Sequence, residues 1–296
     1  MISIRNLRKR LGRRDVLQGL DLEIDPGQRV ALIGSNGAGK TTLIRCLLGE
    51  YTCSGEVSLV GRDPRRFRTE VLSHVGFVPQ LPPPLKMPVG QLVRYVASLC
   101  HTDPQRIVAV SRRLGFDAEH FHRQPFVRLS GGQKQKLLIA SALGRDAGVL
   151  ILDEPAANLD PDARGAFFEL LAERQENALM LISSHRLDEV AALVNRVVEL
   201  DQGRVVLDDR VADSVDLTSR LVCSVRITRP EPAFAKAIAA WGFRDTGDGM
   251  TWHGSVAGAD RLRFLGTLSR YVALIAALEL SEDTSTTTTL QETANA

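Results

Sequence analysis

The chain has 296 residues, of which 44% are hydrophobic, and its formal net charge is +2 at neutral pH. This length suits two domains with a sizeable core, and a charge so close to zero gives no general attraction for nucleic acid. No apolar run is long enough to span a bilayer and no secretory segment follows Met1, so we expect a cytosolic protein that is not itself a pore.

The first part of the chain predicts an antiparallel sheet and a phosphate-binding loop. Alternating segments typical of half-buried strands occur at residues 2–4, 16–17, 20–24 and 56–60. The apolar run 29–33 predicts a buried strand, and residues 43–48 have the apolar spacing of a helix. Between this strand and helix, residues 34–42 have the spacing Gly, four residues, Gly-Lys-Thr, which defines a P-loop.

A P-loop binds the phosphates of a nucleoside triphosphate. Its backbone N–H groups surround phosphate oxygens, and the following helix N-terminus adds partial positive charge. A lysine at position 40 can reach the β- and γ-phosphates, and a threonine hydroxyl at position 41 can ligate Mg²⁺. The predicted phosphate-binding residues are Gly34, Ser35, Asn36, Gly37, Ala38, Gly39, Lys40, Thr41 and Thr42.

Two further segments carry acidic and phosphate-binding chemistry. The apolar strand 149–152 ends in Asp153, placed to hold Mg²⁺, and Glu154, placed to act as general base on the attacking water. Shortly before it, Leu-Ser-Gly-Gly-Gln at residues 129–133 predicts a helix N-terminus and thus a second phosphate-binding surface. One subunit does not need two such surfaces for one γ-phosphate, so the second is expected to serve a nucleotide held by another subunit.

Residues 1–215, with these motifs in order, resemble the ATP-binding subunit of ABC transporters, of the single-cassette, exporter-like type. The resemblance implies an α/β fold, a P-loop NTPase cassette with a RecA-like core, an antiparallel β subdomain and a helical subdomain at about 81–130. It identifies residues 157–160 as the loop that crosses to the other subunit, with Asp160 at its end, and His185 as the switch histidine that bonds the γ-phosphate. Gln80 is identified as the loop glutamine that senses the γ-phosphate.

The resemblance also implies the chemistry and the partners. We expect an ATPase that uses ATP and Mg²⁺, with Glu154 and His185 as catalytic residues and Thr41, Gln80 and Asp153 around the metal. In a head-to-tail dimer, of two copies or of homologous subunits, the signature segment contacts the other subunit's ATP. The residues assigned to that contact are Ser130, Gly131, Gly132 and Gln133.

The expected membrane partner is a separate transmembrane permease, with the ATPase peripheral to it on the cytoplasmic face and no nucleic acid bound. Apolar residues of the helical subdomain are candidates for the permease contact, although they could instead pack within the subdomain; they are Met87, Val89, Leu92 and Tyr95. The alternatives are a soluble ABC ATPase acting on a ribosome or a nucleic-acid complex, and a regulatory module with little turnover. The single set of motifs argues against the first, and the intact Glu154 and His185 argue against the second.

One position departs from the family pattern. Members usually stack an aromatic residue on adenine near the start of the chain, but Leu11 stands there and residues 1–50 contain no Tyr, Phe or Trp. Leu11 can cover one face of the base, and Arg10, Arg13 or Arg14 can stack on it through a planar guanidinium. The alternative is that these arginines form a solvated basic edge.

After about residue 215 the family motifs stop. Strands are predicted at 222–227, 243–246, 250–253 and 271–280, and helices at 232–241 and 259–269. This βαββαβ order is the ferredoxin-like pattern and predicts a small C-terminal α+β domain at 216–280. Residues 281–296 lack apolar periodicity and are predicted to be a mobile tail.

Overall fold

The computed structural model describes residues 1–174, 178–185, 187–210, 220–257, 264, 267–268, 271–272 and 274–282. The chain divides into two compact units, Met1–Val211 and Ala212–Ala296. The predicted boundary near residue 215 lies outside the described residues. Within the described part, no helix combines the length and apolar character needed to cross a membrane.

The first unit is a mixed α/β structure. Its strands are β1 (Ile2–Leu11), β2 (Arg14–Ile24), β3 (Arg29–Ile33), β4 (Ser54–Leu59), β5 (Val75–Val78), β6 (Val149–Asp153), β7 (Leu179–Ser183), β8 (Arg196–Asp201) and β9 (Arg204–Arg210). Its helices are α1 (Lys40–Leu47), α2 (Arg68–Ser73), α3 (Val89–Leu99), α4 (Pro104–Arg113), α5 (Gly131–Leu143), α6 (Pro161–Ala172) and α7 (Leu187–Val190). Short 3₁₀ turns occur at Phe126–Arg128 and Ala191–Leu193.

The central sheet has six strands in the order β5-β6-β7-β3-β8-β9. All neighbours pair in parallel except β9, which is antiparallel to β8. Strands β6 and β7 are buried along their whole length, because their residues are apolar on both faces and both faces are covered. The carboxyl ends of β3, β6 and β7 therefore meet at one edge, where ligands bind in open α/β sheets.

A second sheet of three antiparallel strands, in the order β2-β1-β4, covers one side of this edge. Its apolar residues join the core cluster that also contains Leu43, Ile44 and Leu47 of α1. The last pair of the β1–β2 hairpin is Leu11 opposite Arg14, across the turn formed by Gly12 and Arg13. This hairpin end lies beside the P-loop, since a Cβ added to Gly39 would stand 3.0 Å from Leu17 Cδ2.

The helical segment between β5 and β6 decides between the two alternatives for its apolar residues. Val89 and Leu92 on α3 are buried, with 0% and 7% exposure, and Met87 packs against the same core, whereas Tyr95 is 53% exposed. The apolar residues of α3 recur every three or four positions and face the helical core rather than solvent. Of the two alternatives, packing within the subdomain therefore holds for Met87, Val89 and Leu92, and among these four residues only Tyr95 is exposed as a candidate for the permease contact.

The second unit contains an antiparallel sheet and one described helix. Its elements are β10 (Arg220–Ile227), α8 (Pro232–Ala239), β11 (Arg244–Asp245), β12 (Thr251–Ala257) and β13 (Ile275–Glu282). The strand order is β11-β12-β10-β13, so β12 and β10 lie in the centre of the sheet. Most of the helix predicted at 259–269 lies outside the described residues.

The last strand differs from its prediction. It begins at Ile275 rather than at Tyr271, and it continues through Ser281 and Glu282, which had been assigned to a mobile tail. Ser281 pairs with Val222 of β10 through the backbone, and such pairing needs no apolar periodicity. Residues 283–296, the rest of the predicted tail, lie outside the described residues.

Candidate active site

The P-loop connects β3 to α1 and forms one wall of a cavity of about 520 Å³. Gly34 and Gly39 adopt φ values of +145° and +115°, which L side chains rarely adopt, and a Cβ on Gly34 would meet Leu200 O at 2.3 Å. The cavity is lined by Leu11, Arg14, Val16, Ser35, Asn36, Gly37, Gly39, Lys40, Thr41, Thr42, Gln80 and Glu154. Gly34 and Ala38 belong to the same loop without lining the cavity.

Lys40 is the buried cation of this cavity, with only 7% of its surface exposed. Its Nζ donates to Gly34 O at 2.6 Å, and Nζ also lies 4.0 Å from Glu154 Oε1. Glu154 is nearly buried as well, so the two opposite charges attract each other with little screening by solvent. The general-base candidate and the phosphate-binding lysine are therefore already neighbours at the carboxyl edge of the sheet.

Ser183 organises the Asp153 carboxylate and the backbone of Glu154, and sequence reasoning missed it. The parallel register places it opposite Asp153, and its Oγ donates to Asp153 Oδ1 at 2.5 Å. The same Oγ accepts from the backbone N–H of Glu154 at 3.0 Å, and Ser183 O accepts from that N–H at 3.2 Å. Glu154 has φ +49°, an uncommon value for a residue with a side chain, and these two acceptors stabilise that conformation.

His185 follows the same strand and contacts Glu154 directly. Its Nδ1 lies 2.9 Å from Glu154 Oε2. An ionised carboxylate can only accept, so Nδ1–H donates and the imidazole holds the carboxylate in place. The side chain of His185 is 54% exposed, and the two predicted catalytic residues lie together along a smaller cavity of about 180 Å³.

The predicted metal ligands also lie together. Thr41, Gln80 and Asp153 line a second cavity of about 370 Å³, and the first two line the P-loop cavity as well. Hydroxyl, amide and carboxylate oxygens are the hard donors that Mg²⁺ prefers. Asp153 is 2% exposed and already oriented by Ser183, so this set of oxygens fits Mg²⁺ beside the P-loop.

The signature segment lies apart from the P-loop cavity. Ser130 is the N-cap of α5, where its Oγ accepts from Gln133 N–H at 3.2 Å while Gln133 Oε1 accepts from Ser130 N–H at 2.9 Å. A Cβ added to Gly131 would meet no atom within 4 Å, and a Cβ added to Gly132 would meet only Asn158 O, at 3.2 Å. None of these four residues lines the P-loop cavity of its own subunit, and the helix N-terminus is open to another molecule.

Asp160 is likewise outside the P-loop cavity. Its Oδ1 caps α6 by accepting from Ala163 N–H at 2.9 Å, and its Oδ2 lies 2.7 Å from Lys136 Nζ on α5. The bond from Lys136, followed by that from Ala163, holds the pKa of the Asp160 carboxyl below its usual value. Lys136, which the sequence analysis did not single out, therefore ties the crossing loop to the signature helix.

The comparisons with known proteins identify the family. A family model described as "ABC transporter" matches residues 17–157. A solved structure titled "Structure of ATP binding subunit of ABC transporter" is 26% identical, with a TM-score of 0.65, and covers 73% of this chain and 91% of that one. The Nod factor export ATP-binding protein I of Cupriavidus metallidurans is 34% identical over 231 residues, 76% of this chain and 75% of that protein. The chain belongs to the ABC transporter ATP-binding proteins.

The predicted family, the cassette fold and the ATPase class are thereby confirmed. Another member, the phosphonates import ATP-binding protein PhnC 2 of Pseudomonas syringae, is 31% identical over 237 residues, 72% of this chain and 85% of that protein. The stretch matched by the family model includes the P-loop, Gln80, the signature segment and Glu154. His185 and the second unit follow that stretch.

Proposed function

We propose that this ABC ATPase hydrolyses Mg²⁺-bound ATP at sites shared by two subunits arranged head to tail. The observation that carries the proposal is the separation of two phosphate-binding surfaces in one subunit. The P-loop surrounds a cavity, whereas the N-terminus of α5 lies outside that cavity and is open. A second copy, turned head to tail, brings its Ser130, Gly131, Gly132 and Gln133 to the phosphates held by the first.

The residues of the P-loop subunit have distinct tasks in this proposal. The P-loop N–H groups and Lys40 bind the β- and γ-phosphates. Thr41, Gln80 and Asp153 hold Mg²⁺, which neutralises charge on the phosphates when bound. Glu154 accepts the proton of the attacking water, and His185 keeps the Glu154 carboxylate oriented through the 2.9 Å hydrogen bond.

Dimer closure would complete each site, because phosphoryl transfer depends mainly on positioning and electrostatic stabilisation. Asp160 supports this step, since its bond to Lys136 fixes the crossing loop to the helix that carries the signature segment. Opening after phosphate release gives a two-state motion that can move attached membrane helices. The ATPase then acts as the peripheral motor of a separate permease on the cytoplasmic face.

The names of the relatives favour this transporter function over the ribosome-associated alternative, because both are named as transport ATP-binding proteins. One is named for export and the other for import, at 34% and 31% identity. The motor function is common to both names, whereas the direction of transport and the cargo differ between them.

The proposal is tested by the mass of the Glu154→Gln variant in solution. Light scattering during size-exclusion chromatography should give about twice the subunit mass of 32.4 kDa with Mg²⁺ and ATP, and the subunit mass without nucleotide. The matched control, Glu154→Gln with Ser130→Arg, should bind ATP and stay monomeric because the added side chain blocks the surface that receives the second nucleotide. A Glu154→Gln protein that binds ATP and remains monomeric at high concentration would contradict the shared site.

A further inference from the structure

Arg14 of the β1–β2 hairpin lines the P-loop cavity. It is the first residue of β2 and stands directly opposite Leu11, so the two side chains lie next to each other on one face of the hairpin. Both line the cavity that contains Lys40. Arg14 Nη2 would be 3.9 Å from a Cβ placed on Gly37, which puts the guanidinium over the P-loop backbone.

The neighbouring arginines differ from Arg14. Arg10 Nε lies 3.9 Å from Asp15 Oδ1, and neither Arg10 nor Arg13 lines the cavity. Across the described residues, the Arg14 guanidinium takes part in no ion pair and no hydrogen bond. Its charge is therefore available for a ligand.

Lys40, the other cation of the cavity, is already engaged. Its Nζ donates to Gly34 O and lies beside the Glu154 carboxylate. A triphosphate brings several negative charges, and a guanidinium can donate two parallel hydrogen bonds to phosphate oxygens. An unpaired guanidinium over the P-loop is thus placed for the phosphates rather than for a protein carboxylate.

We propose that Arg14 is a phosphate-binding residue of this site, which contacts the bound triphosphate from the β1–β2 hairpin. The inference rests on the proposed binding of ATP at the P-loop. This contact would compensate for the missing aromatic residue. Leu11 cannot supply affinity by stacking on the base as an aromatic residue would, and a contact from Arg14 to the phosphates supplies affinity instead. The contact depends on the charge of the phosphates and does not distinguish one base from another.

The test compares ATP with inorganic tripolyphosphate, which has no base, as competitors of a fluorescent ATP analogue on the full chain with Mg²⁺. Arg14→Gln should weaken both competitors by about tenfold, the loss expected for one charge-assisted contact at an exposed site. Arg14→Lys, which keeps the charge, should recover at least half of that loss on a logarithmic scale. Arg13→Gln, the same change of charge one residue away and outside the cavity, should leave both affinities unchanged.

Three results would overturn the inference. They are an Arg14→Gln variant with unchanged affinities, a variant that loses ATP affinity while tripolyphosphate competes as before, and an Arg14→Lys variant as weak as Arg14→Gln. The second result would instead assign Arg14 to the base. If the unmodified chain binds ATP but does not hydrolyse it at a site shared by two subunits, only the proposed function is contradicted. If the unmodified chain binds no ATP, both the proposed function and the role of Arg14 are contradicted.

Discussion

Glu154 combines three constraints at one position. It follows the buried strand β6, it adopts φ +49°, and its carboxylate lies between Lys40 and His185. The conformation is held by Ser183, whose backbone and side-chain oxygens both accept from the Glu154 N–H. An uncommon backbone conformation fixed in this way keeps the carboxylate that we propose as the general base oriented before a substrate arrives.

Glu154→Gln tests the role of the carboxylate with little change in shape. We expect ATP binding to be kept and hydrolysis to fall by at least about 100-fold, because the amide cannot accept the proton of the attacking water. Phosphate release, measured on the chain assembled with its permease, gives the rate. Turnover within a few fold of the unmodified protein would remove Glu154 from this role.

Ser183→Ala tests whether one hydroxyl holds both the Asp153 carboxylate and the backbone of Glu154. The change leaves Asp153 Oδ1 without its donor and the Glu154 N–H with a single acceptor in a buried site, so we expect the free energy of unfolding to fall by about 1–3 kcal/mol. Chemical unfolding measures this loss, and Ser98→Ala on an exposed position of α3 is the control for removing a hydroxyl. Equal stability of the two variants would show that Ser183 does not hold the pair.

At the scale of elements, Arg196 links three strands. Its Nε and Nη2 donate to the Asp208 carboxylate on β9 at 2.7 Å each, and its Nη1 donates to Glu23 O on β2 at 2.6 Å. The bond from Arg196 lowers the pKa of the Asp208 carboxyl below its ordinary value of 3.8. This contact joins the edge of the central sheet to the antiparallel sheet that carries the β1–β2 hairpin.

The Asp208 contact predicts a dependence of stability on pH. Because the pKa is lower in the folded state, the stabilisation is complete above the ordinary value of 3.8 and is lost as the pH falls through the folded value. Asp208→Asn should lower the free energy of unfolding at neutral pH by about 1 kcal/mol, a modest figure because solvent screens this partly exposed pair. Urea unfolding at pH 7 and at about pH 3 measures both effects. A difference between variant and parent that does not shrink in acid would contradict this account.

The elements that the sequence predicted well are those specified locally. The P-loop, the signature helix and the strand before Asp153 each have their spacing and apolar pattern within one short segment. Ser183 and Lys136 were missed because their partners, Asp153 and Asp160, come from register and packing between distant segments. The sequence left the burial of Val89 and Leu92 open for a similar reason, since burial of a helix face depends on which elements cover it.

At the scale of the whole molecule, every predicted site residue lies in the first unit. The P-loop cavity and the open N-terminus of α5 are separate surfaces of that unit. This separation is the reason for proposing that catalysis requires a pair of subunits. A membrane partner would couple to this pair through surfaces other than the buried residues of α3.

The ATPase rate of two mixed dimers tests the shared site most directly. One dimer combines a Lys40→Ala subunit with a Ser130→Arg subunit, and the other combines an unmodified subunit with one that carries both changes. Both dimers hold the same substitutions, and differently tagged subunits assembled on the permease allow each to be purified without relying on ATP-driven dimerisation. If sites are shared, the first dimer keeps one intact site and hydrolyses ATP, whereas the second has a defect in each site and is inactive. The reverse order of activities, with both dimers assembled, would contradict the account.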